Sequence, residues 1–346
     1  MSDSQTMLTD AANRLFADLA ADQNLDFGLL WRQLDEAGFP SLLVGEAGGG
    51  FGGDWPDAVA VLRLAGYHAL PAPLAEAMIA AHLLHGAGLT PADGITGLAA
   101  SCEGRLDGSH FTGRLTSVAW GRIATTIVAV LDGRVLRVRR EAAREIHLSH
   151  NPMGEPRDTL CFDNAAVGGG ETTADPFALG ALARTAMIAG ALDAALARSV
   201  AYANERVQFG KPIGKFQAVQ QNLAVFAEEA AAVNCAAQAA ARAVDRGDAG
   251  FEIAAAKLRA NMAAGVGHAT AHQIHGAIGF TFEYDLHRWT GRLVSWASEF
   301  GSERTWAERL GGHVAARGPD ELWSDIASRS DADFAGNNTN NVAKVP

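Results

Sequence analysis

The hydrophobic period of this chain changes twice, and those two changes restrict its fold more than any single motif does. Up to about residue 95, apolar residues recur at helical spacing, in Ala11–Leu19 and Phe27–Ala37. Asp57–Tyr67 and Leu74–Leu84 do the same after Pro56 and Pro73, where proline starts a helix instead of breaking one. From about 96 to 172 the segments are short and partly β-branched: Arg114–Trp120, Thr125–Leu131, Arg134–Val138, Glu145–Leu148 and Thr159–Phe162. Turn residues such as Leu131-Asp132-Gly133 separate them. From about 173 the helical period returns in long Ala-rich stretches, Phe177–Arg206, Gln217–Arg246 and Phe251–His275. The strands are gathered together, not interleaved with helices, which does not fit a doubly wound parallel sheet. The spacing predicts a mainly α protein with a middle antiparallel β domain. Its parts are an N-terminal helical domain (1–95), the β domain (96–172), a C-terminal antiparallel helical bundle (173–318) and a tail (319–346). The low-complexity end of the tail, Asn337–Asn341, reads as disordered.

At 346 residues and 48% hydrophobic content, the chain is long enough for two or three domains. The formal net charge of −11 argues against nucleic acid, which needs clustered Lys and Arg. Cys102, Cys161 and Cys235 are scattered, so neither a disulfide framework nor a zinc site is implied, and a reducing cytoplasm fits. Met1–Leu8 is polar and does not read as a signal peptide. No apolar run reads as the roughly 18 residues of a membrane span.

Gly48-Gly49-Gly50-Phe51-Gly52-Gly53 fits G-x-G-x-x-G and lies between the apolar Ser41–Val44 and a helix, as a dinucleotide-binding loop would. Without a βαβ unit around it, however, it reads as a flexible inter-helix turn.

Two other segments carry chemistry. The first, Arg206-Val207-Gln208-Phe209-Gly210-Lys211-Pro212-Ile213-Gly214-Lys215-Phe216-Gln217, joins two long helices. Its arginine fork, two lysines and the amides of Gln208 and Gln217 suit a pyrophosphate, although the same residues also make an ordinary solvated loop. The second, Gln273-Ile274-His275-Gly276-Ala277-Ile278-Gly279-Phe280, closes the next long helix, and its glycines permit close backbone approach to a flat or phosphorylated ligand. His272 and His275 share a helix face, but no nearby carboxylate or Cys completes a metal set, so hydrogen-bonded or partner-facing histidines are expected.

Together these two segments, continuing through Glu283-Tyr284 to Arg288, resemble the acyl-CoA dehydrogenase family, specifically from about Ala181 to Arg292 and loosely before that. The resemblance implies a helical, β and four-helix-bundle order. It also implies FAD as cofactor, an acyl-CoA thioester as substrate, and an electron-transfer flavoprotein as electron acceptor. In such proteins a carboxylate base removes the α-proton while a β-hydride goes to the flavin, which lies at a subunit interface. Carried over, the residues that touch the pyrophosphate and adenosine of a neighbour's flavin are Arg206, Gln208, Phe209, Gln217, Gln273, Gly276 and Ala277, the last standing where the family has a second glycine.

Three departures stand against these matches. The family's usual base position reads Phe300, within Ser298-Glu299-Phe300-Gly301-Ser302, and Glu299 is one residue early. The alternative base position falls near Gly180, where there is no carboxylate. The β domain lacks the family's flavin-lining Thr, Glu, Pro, Gly and Ser stretch, and the Trp-x-Thr contact aligns near Ser117 and Ala119, with Trp120 just beyond. Two classes of function then compete: a self-sufficient homo-oligomeric dehydrogenase with Glu299 as base, and a non-catalytic subunit of a heteromer. The heteromer subunit would lend its motif residues to the flavin site of a second acyl-CoA dehydrogenase subunit, as the shortened subunits that act on steroid side-chain CoA esters do. A flavin-free structural paralogue is a third reading. In the heteromer reading, Glu303 and Arg304 nearby offer Glu299 an exposed ion-pair role instead of that of a base.

Overall fold

The computed structural model describes residues 3–329 apart from 23, 24, 91 and 93. Four helices come first: α1 (Asp3–Ala21), α2 (Phe27–Glu36), α3 (Trp55–Tyr67) and α4 (Leu74–Gly86). Asp26 caps α2 by accepting from the Gly28 and Leu29 amides, and Asp54 caps α3 through the Asp57 amide, with Pro56 in the first turn. The glycine-rich stretch before α3 is a tethered turn, not a flexible one. The amides of Gly48, Gly49, Gly50, Gly52 and Gly53 all donate to carbonyls between Leu42 and Glu46, so they are spent within the loop and do not face a phosphate.

The β domain consists of β1 (Thr96–Leu98), β2 (Ser101–Asp107), β3 (His110–Ala119), β4 (Thr126–Leu131), β5 (Arg134–Arg139), β6 (Glu145–His147) and β7 (Arg157–Glu171). The strand order is β1-β4-β5-β7-β3-β2, with β6 also on β7. Every pair is antiparallel except β1 with β4, which is parallel in the register Thr96↔Thr126 to Leu98↔Val128. The short edge strand β1 follows α4 in the chain and runs alongside β4, an arrangement that alternation within single strands does not reveal. Phe111, Leu115, Ile127, Leu136 and Leu160 form a core of the sheet's own.

The last part holds α5 (Pro176–Glu205), the tight hairpin β8 (Val207–Gln208) and β9 (Lys211–Pro212), then α6 (Gln217–Arg246), α7 (Gly250–His275), α8 (His287–Ser298) and α9 (Glu303–Arg317). Asp175 caps α5, with Pro176 at its first position. Helix α5 is the axis of the molecule, touching α3, α6, α7 and α8. Its composition and length would suit a membrane span, but 89% of the apolar window is buried among the other helices, so its apolarity serves the core. Gly66 and Gly190 let α3 and α5 approach closely: a Cβ at either would run into backbone of the other helix. The Arg63–Asp193 pair, at 2.6 Å, ties the same two helices at their rim. Residues 322–329 are helical, and Arg329 binds Glu252 at 3.0 Å. The segment Asn337–Asn341, expected to be disordered, lies outside the described residues.

Candidate functional site

The family-like residues separate into two groups at opposite ends of α5. At one end, Arg206 is the C-cap residue of α5. The β8–β9 hairpin carries Gln208, whose amide donates to the Val207 carbonyl at 2.8 Å, and Phe209, which is 92% exposed with φ +53°. Gln217 opens α6, and Lys211 sits 4.4 Å from the centre of the Phe216 ring. Gln273 and His275 are in the last turn of α7, and the short turn Gly276–Phe280 follows. The two segments belong to one end of the bundle because Tyr202 of α5 stacks on His275 of α7 at 4.6 Å.

His275 donates or accepts at both ring nitrogens, to the Ala271 carbonyl (2.8 Å) and the Tyr284 hydroxyl (3.1 Å). His272 bonds Thr290 at 3.0 Å and stacks on Phe280. Burial holds both imidazoles below their ordinary range, so they are neutral packing and hydrogen-bonding groups. No cluster of three or more potential metal ligands occurs among the described residues.

This end is open, not enclosed. Gly276, at φ +63°, and Gly210, at φ +79°, would each meet nothing within 4 Å if given a Cβ. Phe280 is 72% exposed and Phe282 91% exposed. Three exposed phenylalanines, Phe209, Phe280 and Phe282, sit on the hairpin and the segment after α7. Arg206, the hairpin and the Gly276 turn thus offer an exposed guanidinium and bare backbone, the chemistry that a pyrophosphate would need.

The base position lies at the other end of α5. Roughly 39 Å separates Gly180 from Arg206 along the helix, at about 1.5 Å of rise per residue. Phe300 follows α8 in a left-handed conformation, φ +52°. Its ring packs against Gly180, where a Cβ would collide with it. It also packs edge-on to Phe177 at 6.2 Å and under the Arg184 guanidinium at 5.5 Å. The two positions where the family carries a base are thus in contact with each other, and an aromatic ring fills the space between them.

Glu299 is largely buried, not on a solvated loop, and Arg304 pairs instead with Glu308 at 2.7 Å. Its Oε1 accepts from Asn151 (2.9 Å) and Arg157 Nε (3.0 Å), and its Oε2 accepts from Arg184 Nε (2.7 Å) and Arg157 Nη2 (3.1 Å). Those four bonds fill the acceptor capacity of a carboxylate. Burial alone would raise its pKa, but Arg184, Arg157 and the Asn151 amide outweigh burial and hold it at about 2.

The network continues on both sides. Arg184 also binds Glu76 of α4, and Arg157 and Arg292 both bind Glu155, at 3.1 and 3.0 Å. Arg157 further covers the Trp120 ring at 5.3 Å. The gap between the Ser117–Trp120 corner and the Phe300 turn is therefore spanned by a nearly buried arginine. Below it, Lys257 donates to Asn261 (2.6 Å) and to the Trp296 carbonyl (2.8 Å), fastening the end of α8. Burial, reinforced by Arg184, depresses the Lys257 ammonium to about 7.

Motif reading from sequence missed Arg184, Glu76, Lys257, Arg157 and Glu155. A signal was there for Arg184 and Glu76: each is a single charge inside an Ala- and Leu-rich helical stretch, which demands a buried partner.

A family model for the acyl-CoA dehydrogenase C-terminal domain matches residues 168–301. The acyl-CoA dehydrogenase IpdE2 of Mycobacterium tuberculosis is 31% identical over 309 residues, covering 86% of this chain and 90% of its own length. The chain belongs to the acyl-CoA dehydrogenase family. IpdE2 of Mycolicibacterium smegmatis is 29% identical over the same shares, 86% and 90%. Among solved structures, the Tcur3481–Tcur3483 steroid ACAD aligns with a TM-score of 0.83 at 22% identity, covering 91% of this chain and 98% of that one. The ChsE4–ChsE5 complex of Mycobacterium tuberculosis aligns at 0.79 and 23%, with coverage of 91% and 98%. At those identities the structural matches establish that the chain has the acyl-CoA dehydrogenase fold.

Proposed function

We propose that this chain is the non-catalytic subunit of a heteromeric, FAD-dependent acyl-CoA dehydrogenase. It would lend Arg206, Gln208, Phe209, Gln217 and the Gln273, Gly276 and Ala277 turn to a flavin seated mainly on a second acyl-CoA dehydrogenase subunit. One observation carries the reading: Phe300 fills the base position against Gly180 while Glu299 spends all four acceptor sites on buried cations and an amide. Proton abstraction needs a carboxylate within hydrogen-bond reach of the substrate α-carbon, and a fully engaged Glu299 does not provide one. FAD, when bound, supplies the hydride acceptor, and an electron-transfer flavoprotein is the electron acceptor that membership of the family suggests. This chain's own residues would hold the negatively charged pyrophosphate through Arg206 and bring the bare Gly276 backbone up to the adenosine. The likeness to a steroid ACAD and to a two-component complex supports a bulky acyl-CoA and a paralogous partner.

The test is to produce the chain alone and together with a paralogous acyl-CoA dehydrogenase chain, then to measure bound flavin and dye reduction by acyl-CoA. The single chain is expected to hold little FAD and to turn over poorly, and the pair to do both. Full flavin occupancy with robust turnover by the single chain would reverse the assignment and return the base to this chain.

A further inference from the structure

We infer that the β domain carries an anion-binding cleft that takes a phosphomonoester. The cleft shares no lining residue with the Arg206 end or the Phe300 turn, and the inference is independent of the flavin reading. From Arg134 to Arg144 the chain places Arg134, Arg137, Arg139, Arg140 and Arg144 against a single acid, Glu141, in a protein of net charge −11. A cationic run against the overall sign creates a local field that attracts anions. Beside it lies a cleft of about 420 Å³ lined by Thr90, Thr126, Arg137, Arg139, Val167 and Gly168 among others, with no carboxylate among the described lining residues. That volume is in the range of small-molecule sites.

Arg137 is pinned. Its Nη1 donates to the Thr90 carbonyl at 3.1 Å and to the Thr90 hydroxyl at 3.3 Å. Its other edge looks over Gly168, where a Cβ would stand 3.5 Å from Nε and 3.6 Å from Nη2. Arg139, two residues on, points to the same side of β5, with an expected Cα spacing of roughly 6.6 Å. It is 62% exposed, and its contact with Glu141 is long, at 3.9 Å. Two guanidinium groups so placed, one held and one adjustable, can bracket a phosphate with charge-assisted bonds.

The glycines opposite shape the cleft floor. In β7, Gly168, Gly169 and Gly170 pair with Arg137, Leu136 and Val135. Gly170 is required by packing, because a Cβ there would meet the Ala87 carbonyl. Gly168 is not: its nearest neighbour is the flexible end of Arg137 at ordinary contact distance. Glycine weakens a strand interior and commonly marks close approach of something else. At 168 the missing side chain lets the Arg137 guanidinium lie close against β7, beside Thr90, whose hydroxyl it binds, and Thr126 of the cleft wall.

The purified chain, at low salt, is titrated calorimetrically with adenosine 3′,5′-bisphosphate, adenosine and inorganic phosphate. The bisphosphate is expected to bind and adenosine not to. Arg139→Gln, at an exposed position that leaves the fold intact, is expected to weaken binding at least fivefold. Gly168→Val, which fills the floor without changing charge, should weaken it at least tenfold. Tighter binding of the bisphosphate than of inorganic phosphate assigns the cleft to a nucleotide-type phosphomonoester, and equal binding assigns it to free phosphate. Absence of binding, equal binding of adenosine, or affinity unchanged by both substitutions overturns the proposal.

Discussion

Replacing Glu299 with Gln keeps the side chain's size and removes its charge, so it separates a structural carboxylate from a catalytic one. The structure makes the first role quantitative. The Glu299 carboxyl is held at about 2 instead of 4.5 by Arg184, Arg157 and Asn151 acting against burial, and its side chain is only 14% exposed. At about 1.36 kcal/mol per tenfold change in proton affinity, that preference is worth about 3 kcal/mol of stability at neutral pH. It is close to the roughly 3–5 kcal/mol seen when one partner of a buried ion pair is removed. The sign follows from the lowered pKa: the contribution is present above about pH 4.5 and is lost as pH falls towards 2. Denaturant unfolding at pH 7 should therefore show Glu299→Gln about 3 kcal/mol less stable than the parent, with the gap closing between pH 4.5 and 2. Single-turnover flavin reduction in the assembled enzyme should change by less than tenfold. Unchanged stability at pH 7, together with a fall of about a hundredfold or more in flavin reduction, the low end for a positioned base, would refute the reasoning and make Glu299 the base.

Other expectations follow from the same geometry. Arg206→Ala should release FAD from the assembled complex, with a loss of about 1.5–3 kcal/mol, roughly ten- to hundredfold in retention; unchanged retention on gel filtration with intact assembly would place Arg206 on an ordinary surface. Gly180→Ala should cost about 1–3 kcal/mol by overpacking against Phe300, and most of that cost should vanish when Phe300→Ala is the background. An equal cost in both backgrounds, read from denaturant midpoints, would contradict the Phe300–Gly180 contact. Lys257 binds its proton less tightly in the folded chain than in the unfolded one, so its contribution makes stability rise between about pH 7 and 10.5. Lys257→Met should flatten that rise, and an unaltered slope would show that Lys257 keeps its proton throughout.

The helical, β and helical order, the long bundle helices and the two cofactor-type motifs were all legible in the sequence, because each rests on local rules. A helix shows itself by its period, and Asp26, Asp54 and Asp175 mark starts by capping orphan amides. The motif at Arg206–Gln217 is contiguous, so its residues travel together whatever the tertiary structure does. Which motif residues come together was not legible. The Arg206 hairpin and the Gly276 turn share one end only because α5 and α7 run parallel within the bundle, as the Tyr202–His275 stack records.

What tertiary structure alone decided is the state of the base position. The sequence fixes the identities Glu299 and Phe300 and the absence of an acid at 180. It leaves open whether Glu299 faces solvent beside Arg304 or faces inward, because a loop residue has no period to orient it. The answer came from residues far away in the chain: Asn151 and Arg157 of the β domain, and Arg184 of α5 with its partner Glu76 of α4. A buried carboxylate is stable only where cations and donors converge on it, and that convergence is a property of the packed fold, which joins residues more than a hundred positions apart.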